Sequence, residues 1–154
     1  MKNNGFTLVE LLAILAIMGF IALITMPIVL KQIKDTKEDL FNNQIELIKS
    51  GAISYVTDVI AHPNSSDTFN NSINMLVKDN KVNSTINVPL YILQNNGALE
   101  RDIVNPICDE DSGNKYFSPD NILISITYDG AEFEYDVKTN DGTAVKDSCT
   151  PGIE

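Results

Sequence analysis

The sequence predicts an α+β protein in which one long N-terminal helix, part transmembrane and part soluble, packs on a small antiparallel β-sheet. Three observations predict it. Residues 6–30 form an almost unbroken apolar run. A helical stripe of apolar residues continues beyond that run, through Val59. Further on, two alternating apolar runs flank an Asp-Gly pair.

The apolar run comes first. Within residues 6–30 only Thr7, Glu10 and Thr25 are clearly polar. A helix that crosses a bilayer needs about 20 such residues at a rise of about 1.5 Å each. A removed secretory signal is the competing reading. Its apolar stretch is usually about 7 to 15 residues and ends in a small-residue cleavage site. Here the run is longer, no such site follows, and the helical pattern continues, so the segment is read as a retained anchor. Lys2 precedes the run, which keeps the short N-terminus cytoplasmic. Lys31 and Lys34 on the other side weaken that charge asymmetry.

Glu10 is the anomaly of this segment. An ionised side chain in the middle of a span costs about 2.5–3.5 kcal/mol on insertion scales. Two readings account for it. Glu10 sits near the interface and snorkels or is protonated. Alternatively, it meets a cationic partner in an assembled state, and a free amine created by a cut just before Phe6 is such a partner.

The opening residues, "MKNNG" followed by "FTLVELLAILAIMGF", resemble the start of type IV pilins and pseudopilins. The likeness rests on Lys2, Gly5, Phe6, Thr7, Leu8, Glu10, the long apolar run and Pro27, and it covers roughly the first thirty residues. It implies that prepilin peptidase cuts after Gly5 and that Phe6 is then methylated. It implies assembly roles for Phe6, Glu10 and Pro27, with the carboxylate of Glu10 meeting the amine of Phe6 in a packed bundle of helices. Independently of the likeness, Pro27 removes one helical hydrogen bond and crowds the preceding turn, so a kink or local melting is expected there.

Past residue 30 the pattern is amphipathic. Phe41, Ile45, Ile48, Ala52, Val56 and Val59 recur every three or four residues as one stripe. Lys34 and Glu38 are spaced for a weak i,i+4 pair. The helix is expected to end at "AHPNSSD", where His62 precedes Pro63. His62 is the only histidine, and no companions for a triad or a metal site are visible around it. A second helix is expected over residues 66–80, capped by Ser66 or Asp67, with Phe69, Ile73 and Leu76 on its face. Residues 87–99 read as a third short helix, with Asn87 as cap and Gly97 past its end. A strand over residues 86–93 is the alternative.

The strongest signal beyond the helix is "NILISITYDGAEFEYDVK". Ile122, Ile124, Ile126 and Tyr128 alternate onto one face, as do Ala131, Phe133, Tyr135 and Val137. Asp129 and Gly130 predict a two-residue hairpin turn. Ser125, Thr127, Glu132, Glu134 and Asp136 are expected on a wet face. A short third strand is expected at about residues 143–146.

Cys108 and Cys149 lie on the exported side by this topology. An even count outside the cytoplasm reads as a disulfide, with two free thiols as the alternative. The resemblance favours a bond that closes a C-terminal loop. "DEDSGN", residues 109–114, offers oxygen ligands around a turning Gly. Asp109 and Asp111 are the calcium candidates there, although the spacing is not that of an EF-hand loop. No other metal site and no cofactor are expected.

The chain is therefore divided into a leader (residues 1–5), a transmembrane and assembly half of the helix (6–30), its soluble half (31–62), and a globular domain with short helices and about three strands (63–154). The net charge of −10 repels phosphate backbones, which argues against direct nucleic-acid binding. No nucleophile–base pair or phosphate loop is visible, so an enzyme is not expected. The resemblance implies a pilin-like, lollipop-shaped subunit of a type IV pilus or related filament. Its partners would be itself, other pilins, prepilin peptidase, and a membrane platform protein with its ATPase. Before assembly it would be a single-pass membrane protein, and afterwards part of an extracellular surface filament. A pseudopilin of a competence or secretion system, and a minor tip pilin acting as an adhesin, are the alternatives.

Overall fold

A computed structural model describes residues 7–63, 68–108 and 110–152. The chain divides into two compact units, Met1–Lys37 and Glu38–Glu154. Helix α1 (Leu8–Ala61, 54 residues) contributes to both. Two shorter helices follow, α2 (Thr68–Lys78) and α3 (Leu90–Asn95). The strands are β1 (Ser84–Pro89), β2 (Tyr116–Phe117), β3 (Ile122–Tyr128), β4 (Phe133–Thr139) and β5 (Cys149–Thr150).

In the first unit every described residue is exposed. The most apolar 18-residue window of α1 has a mean hydropathy of 2.6, and none of it is buried within the protein. The helix runs through Pro27 without interruption, so of the kink or local melting expected there, the single subunit shows no melting. A proline withdraws a single donor, and long, regular helix on both sides holds the remaining bonds. Thr25, the other polar side chain deep in the run, donates its hydroxyl to the Ala22 carbonyl at 3.4 Å. It thereby satisfies itself within the helix.

The second unit has one hydrophobic core. Ile48, Ala52, Val56 and Val59 are buried as the stripe predicts, and Phe41 and Ile45 pack at its edge. Gly51 and Tyr55 share that face, although neither was assigned to it from sequence. A Cβ on Gly51 would overlap the Leu99 side chain, so the glycine is required for close approach. Tyr55 donates its phenol hydroxyl to Asn70 Oδ1 of α2 at 2.6 Å, which satisfies two polar groups inside the core. Ile73 and Leu76 bury the matching face of α2. The expected caps Ser66 and Asp67 lie outside the described residues.

The principal sheet has the order β1-β3-β4 and is antiparallel throughout. Register aligns Val88, Ile124 and Val137 in one row, and Ile86, Ile126 and Tyr135 in the next. These rows form the core face. The opposite face carries Asn87, Ser125 and Asp136 in one row and Thr85, Thr127 and Glu134 in another. Ser125 donates to Asn87 Oδ1 at 2.8 Å, and the hydroxyls of Thr85 and Thr127 share a hydrogen bond at 2.7 Å. Such cross-strand pairs fix register as well as contribute stability.

Three sequence expectations are corrected here. First, residues 86–93 hold both alternatives in succession: β1 ends at Pro89 and α3 begins at Leu90. Asn87 is a sheet residue and caps nothing, while Gly97 (φ 73°) does lie just past the helix end. Pro89 closes the strand and starts the helix with φ −63°, the value its ring imposes. Second, Tyr128 pairs with Phe133, so the hairpin loop is residues 129–132 and not the Asp-Gly pair alone. Asp129 Oδ1 accepts from the backbone N–H of Ala131 and of Glu132, at 2.8 and 2.7 Å, and this side-chain turn sets the loop length. Third, no strand forms at residues 143–146. Asp141 Oδ1 accepts from the N–H and the hydroxyl of Thr143, and a 3-10 turn follows at Val145–Asp147. The missing strand is instead β5, which pairs with β2 in a separate two-stranded sheet.

The two turn carboxylates make acid sensitivity local. Backbone N–H groups of Glu132 and then Ala131 hold the Asp129 carboxyl below the usual Asp range. The Thr143 N–H, then its hydroxyl, does the same for Asp141. Both folded-state values lie below the unfolded value. The stability they contribute is therefore complete above the ordinary Asp pKa of about 3.9 and is lost as pH falls through the lowered values. The Asp129→Asn/Asp141→Asn variant should be less stable than wild type at neutral pH, with a smaller further loss on acidification below about pH 4. Urea midpoints followed across that range check this, and parallel acid limbs would contradict it.

Candidate functional site

Most residues expected to carry function cluster at the beginning of the chain. Gly5 and Phe6 lie outside the described residues. The description starts at Thr7, and Glu10 stands in the first turn of α1. Thr7 donates its backbone N–H to Glu10 Oε2 at 3.0 Å and its hydroxyl to the same oxygen at 2.8 Å. In return, the backbone N–H of Glu10 donates to Thr7 Oγ1 at 3.3 Å. This reciprocal arrangement is a capping box. The side chains of Thr and Glu three residues apart satisfy backbone donors that an N-terminal turn leaves open. The acid also sits at the positive end of the helix dipole.

The box changes the meaning of Glu10. Its carboxylate is not a bare charge in an apolar run, because two donors already serve it before any second chain arrives. A free amine at residue 6 would stand one residue from the N–H that already binds the carboxylate. The signal for the box was present in the sequence as Thr-x-x-Glu ahead of an apolar run, and Thr7 was counted there without this role.

Pro27 lies seventeen residues further along α1. A shallow apolar notch beside it is lined by Gly19, Ala22, Leu23, Met26, Pro27 and Leu30. Small residues and the missing proline N–H leave this side of the helix open to close approach by another apolar surface.

The prokaryotic N-terminal methylation motif matches residues 1–26. This match and the long N-terminal helix support a type IV pilin-like protein. That motif and the long apolar helix are consistent with a membrane-anchored precursor, and the motif implies processing by prepilin peptidase and assembly with other pilins. The motif is one of structural proteins and not of an enzyme family. No curated protein and no solved structure matches the chain. Residues 27–154 are therefore read from their own chemistry.

Cys108 and Cys149 are joined in a disulfide, with Cα atoms 5.9 Å apart. The bond closes a loop with a sequence separation of 41, worth about 4 kcal/mol in the chain-entropy account. Buried Asn105 braces it. Its Nδ2 donates to the Lys146 carbonyl at 3.1 Å, and its Oδ1 accepts from the Ile107 N–H at 3.2 Å. The same region brings β5 onto β2, so the tail of the chain is pinned by a bond, a strand pair and a buried amide together.

The remaining candidates do not converge. Asp111 lies exposed in the 3-10 turn Glu110–Ser112, and Asp109 lies outside the described residues. Among the described residues no three His, Cys, Asp or Glu side chains are grouped to hold a metal ion. His62 is exposed at the end of α1, with Nδ1 3.0 Å from Asp58 Oδ1. A partly open hollow of about 160 Å³ lies between Phe117, Asp102, Asp120 and Thr150.

The capping box yields a direct expectation. In full-length protein in detergent micelles, Thr7→Val should fray the first turn of α1 and raise amide exchange at residues 8–11 by about fivefold, equivalent to about 1 kcal/mol. Thr7→Ser should restore protection. Equal exchange in all three proteins would contradict the box.

Proposed function

We propose that this chain is a structural subunit of a type IV pilus or related filament. It is cleaved after Gly5, methylated on Phe6 and polymerised through α1. Residues 1–5 are then a discarded leader, 6–30 the assembly half of the helix, 31–62 its soluble half, and 63–154 the globular domain that the filament displays.

One observation carries the reading. The methylation motif runs directly into a helix whose apolar residues, from Leu8 to Leu30, stay exposed among the described residues. Bilayer covers that surface while the subunit waits, and other copies of the same helix cover it on assembly. Glu10 fits both situations. In lipid the capping box satisfies its carboxylate. In a bundle the methylated amine of a neighbouring Phe6 supplies the opposite charge, and a paired charge tolerates a low dielectric far better than a lone one. The acidic globular domain contributes no catalysis in this reading and serves as the outer surface.

The experiment is mass spectrometry of the N-terminal peptide from surface material sheared off cells that produce the protein. A peptide beginning at methylated Phe6 in that fraction is expected. Recovery of the intact Met1 leader there would overturn the reading.

A further inference from the structure

Charge is divided unevenly along this chain. Residues 1–37 hold four lysines against two carboxylates. Residues 38–154 hold nineteen carboxylates against seven lysines and arginines. Three of the four early lysines, Lys31, Lys34 and Lys37, follow the apolar run at intervals of three. The ion pairs found among the described residues are Lys49–Glu46, His62–Asp58 and Lys81–Asp79, and none uses these lysines. The expected pair of Lys34 with Glu38 is not among them. Leu30, Ile33, Lys34 and Lys37 stand at i, i+3, i+4 and i+7 on α1, so they share one helical face. That face is half apolar and half cationic. Leu30 and Ile33 are 59% and 50% exposed.

The second unit carries a hollow of matching character. It measures about 420 Å³ and lies between α1 at Leu47 and the segment 98–104. Its apolar floor is made by Leu47 and Val104, which are 49% and 42% exposed, beside Leu99 and Ile103. Glu100 and Asp102 line the same hollow, while Arg101 between them lines a separate one with Asp120. The segment is held in place. Gln94 Nε2 donates to the Glu100 carbonyl at 3.1 Å, and the Phe117 N–H donates to the Ile103 carbonyl at 2.9 Å. Asp102 itself adopts φ 57°, a left-handed conformation that Asp tolerates better than most non-glycine residues.

We propose that this hollow receives residues 30–37 of a second copy of the chain. Leu30 and Ile33 lie on the apolar floor, and Lys34 and Lys37 meet Glu100 and Asp102. The proposal rests on the filament reading above and adds which surfaces meet. The segment and the hollow are different patches of one chain, so the contact is head-to-tail. It leaves each copy with a free hollow or a free segment, and repeats into an open polymer. Apolar burial supplies cohesion, and the charges select register and partner.

The test reverses charge on full-length protein in cells that assemble it. Lys34→Glu/Lys37→Glu is one variant, Glu100→Lys/Asp102→Lys the second, and the four-residue swap the third. Each reversal alone should reduce sheared filament by about tenfold or more while the amount of subunit in the membrane stays unchanged, and the swap should restore assembly. Undiminished filament in either single reversal overturns the proposal. So does failure of the swap to rescue. A loss confined to the lysine variant, accompanied by less subunit in the membrane, assigns the lysines to anionic lipid headgroups and also overturns it. Wild-type protein that yields no filament at all would overturn the filament reading itself, an outcome distinct from these.

Discussion

The apolar side of residues 8–30 cannot remain in water, and the rest of the molecule is arranged around that constraint. Large apolar side chains are exposed along residues 8–30 of the helix, and nothing among the described residues covers them. Only lipid or other helices of the same kind satisfy such a surface. The polar groups that remain within it are satisfied locally, as a hydrocarbon surrounding requires. Thr25 bonds back to its own helix, and Glu10 folds onto Thr7. The polar groups of the segment are thus compatible with an apolar surrounding.

The second unit solves a different problem on the same helix. From Phe41 onward α1 becomes one-sided, and a three-stranded sheet with two short helices covers that side. Gly51 lets Leu99 approach the helix axis, Tyr55 and Asn70 satisfy each other inside the core, and the disulfide holds the tail against β2. Hydrophobic stabilisation, polar satisfaction and covalent closure act on adjoining regions.

Legibility in the sequence followed the length of each pattern. The 54-residue helix spans many turns of consistent periodicity, and its existence, burial stripe and end near His62 could be read from residues alone. The alternating runs of β3 and β4 were equally plain. Elements decided by one or two side chains were not. Whether residues 86–93 formed strand or helix turned on where Pro89 divides them, and periodicity cannot place that division. The hairpin loop was set by two hydrogen bonds to Asp129, which overrode the shorter turn that Asp-Gly favours. The strand expected at 143–146 gave way to Asp141 for the same reason. β1, β2 and β5 owe their pairing to partners distant in sequence, and no local signal announces such partners. At the N-terminus the constellation of Gly5, Phe6 and Glu10 was visible as a pattern of types, while the Thr-x-x-Glu signal for the bond from Thr7 to Glu10 was present but carried no assigned role.

The central claim is that the apolar half of α1 passes from lipid into a bundle of its own kind, with Glu10 facing a neighbour's amine. Electron cryomicroscopy of the isolated filament tests it most directly. The account predicts that residues 8–30 of many copies pack along the filament axis, with each Glu10 carboxylate at ion-pair distance from a Phe6 amine. A filament whose core is built from the globular domains, with these helices splayed at its surface, would contradict it.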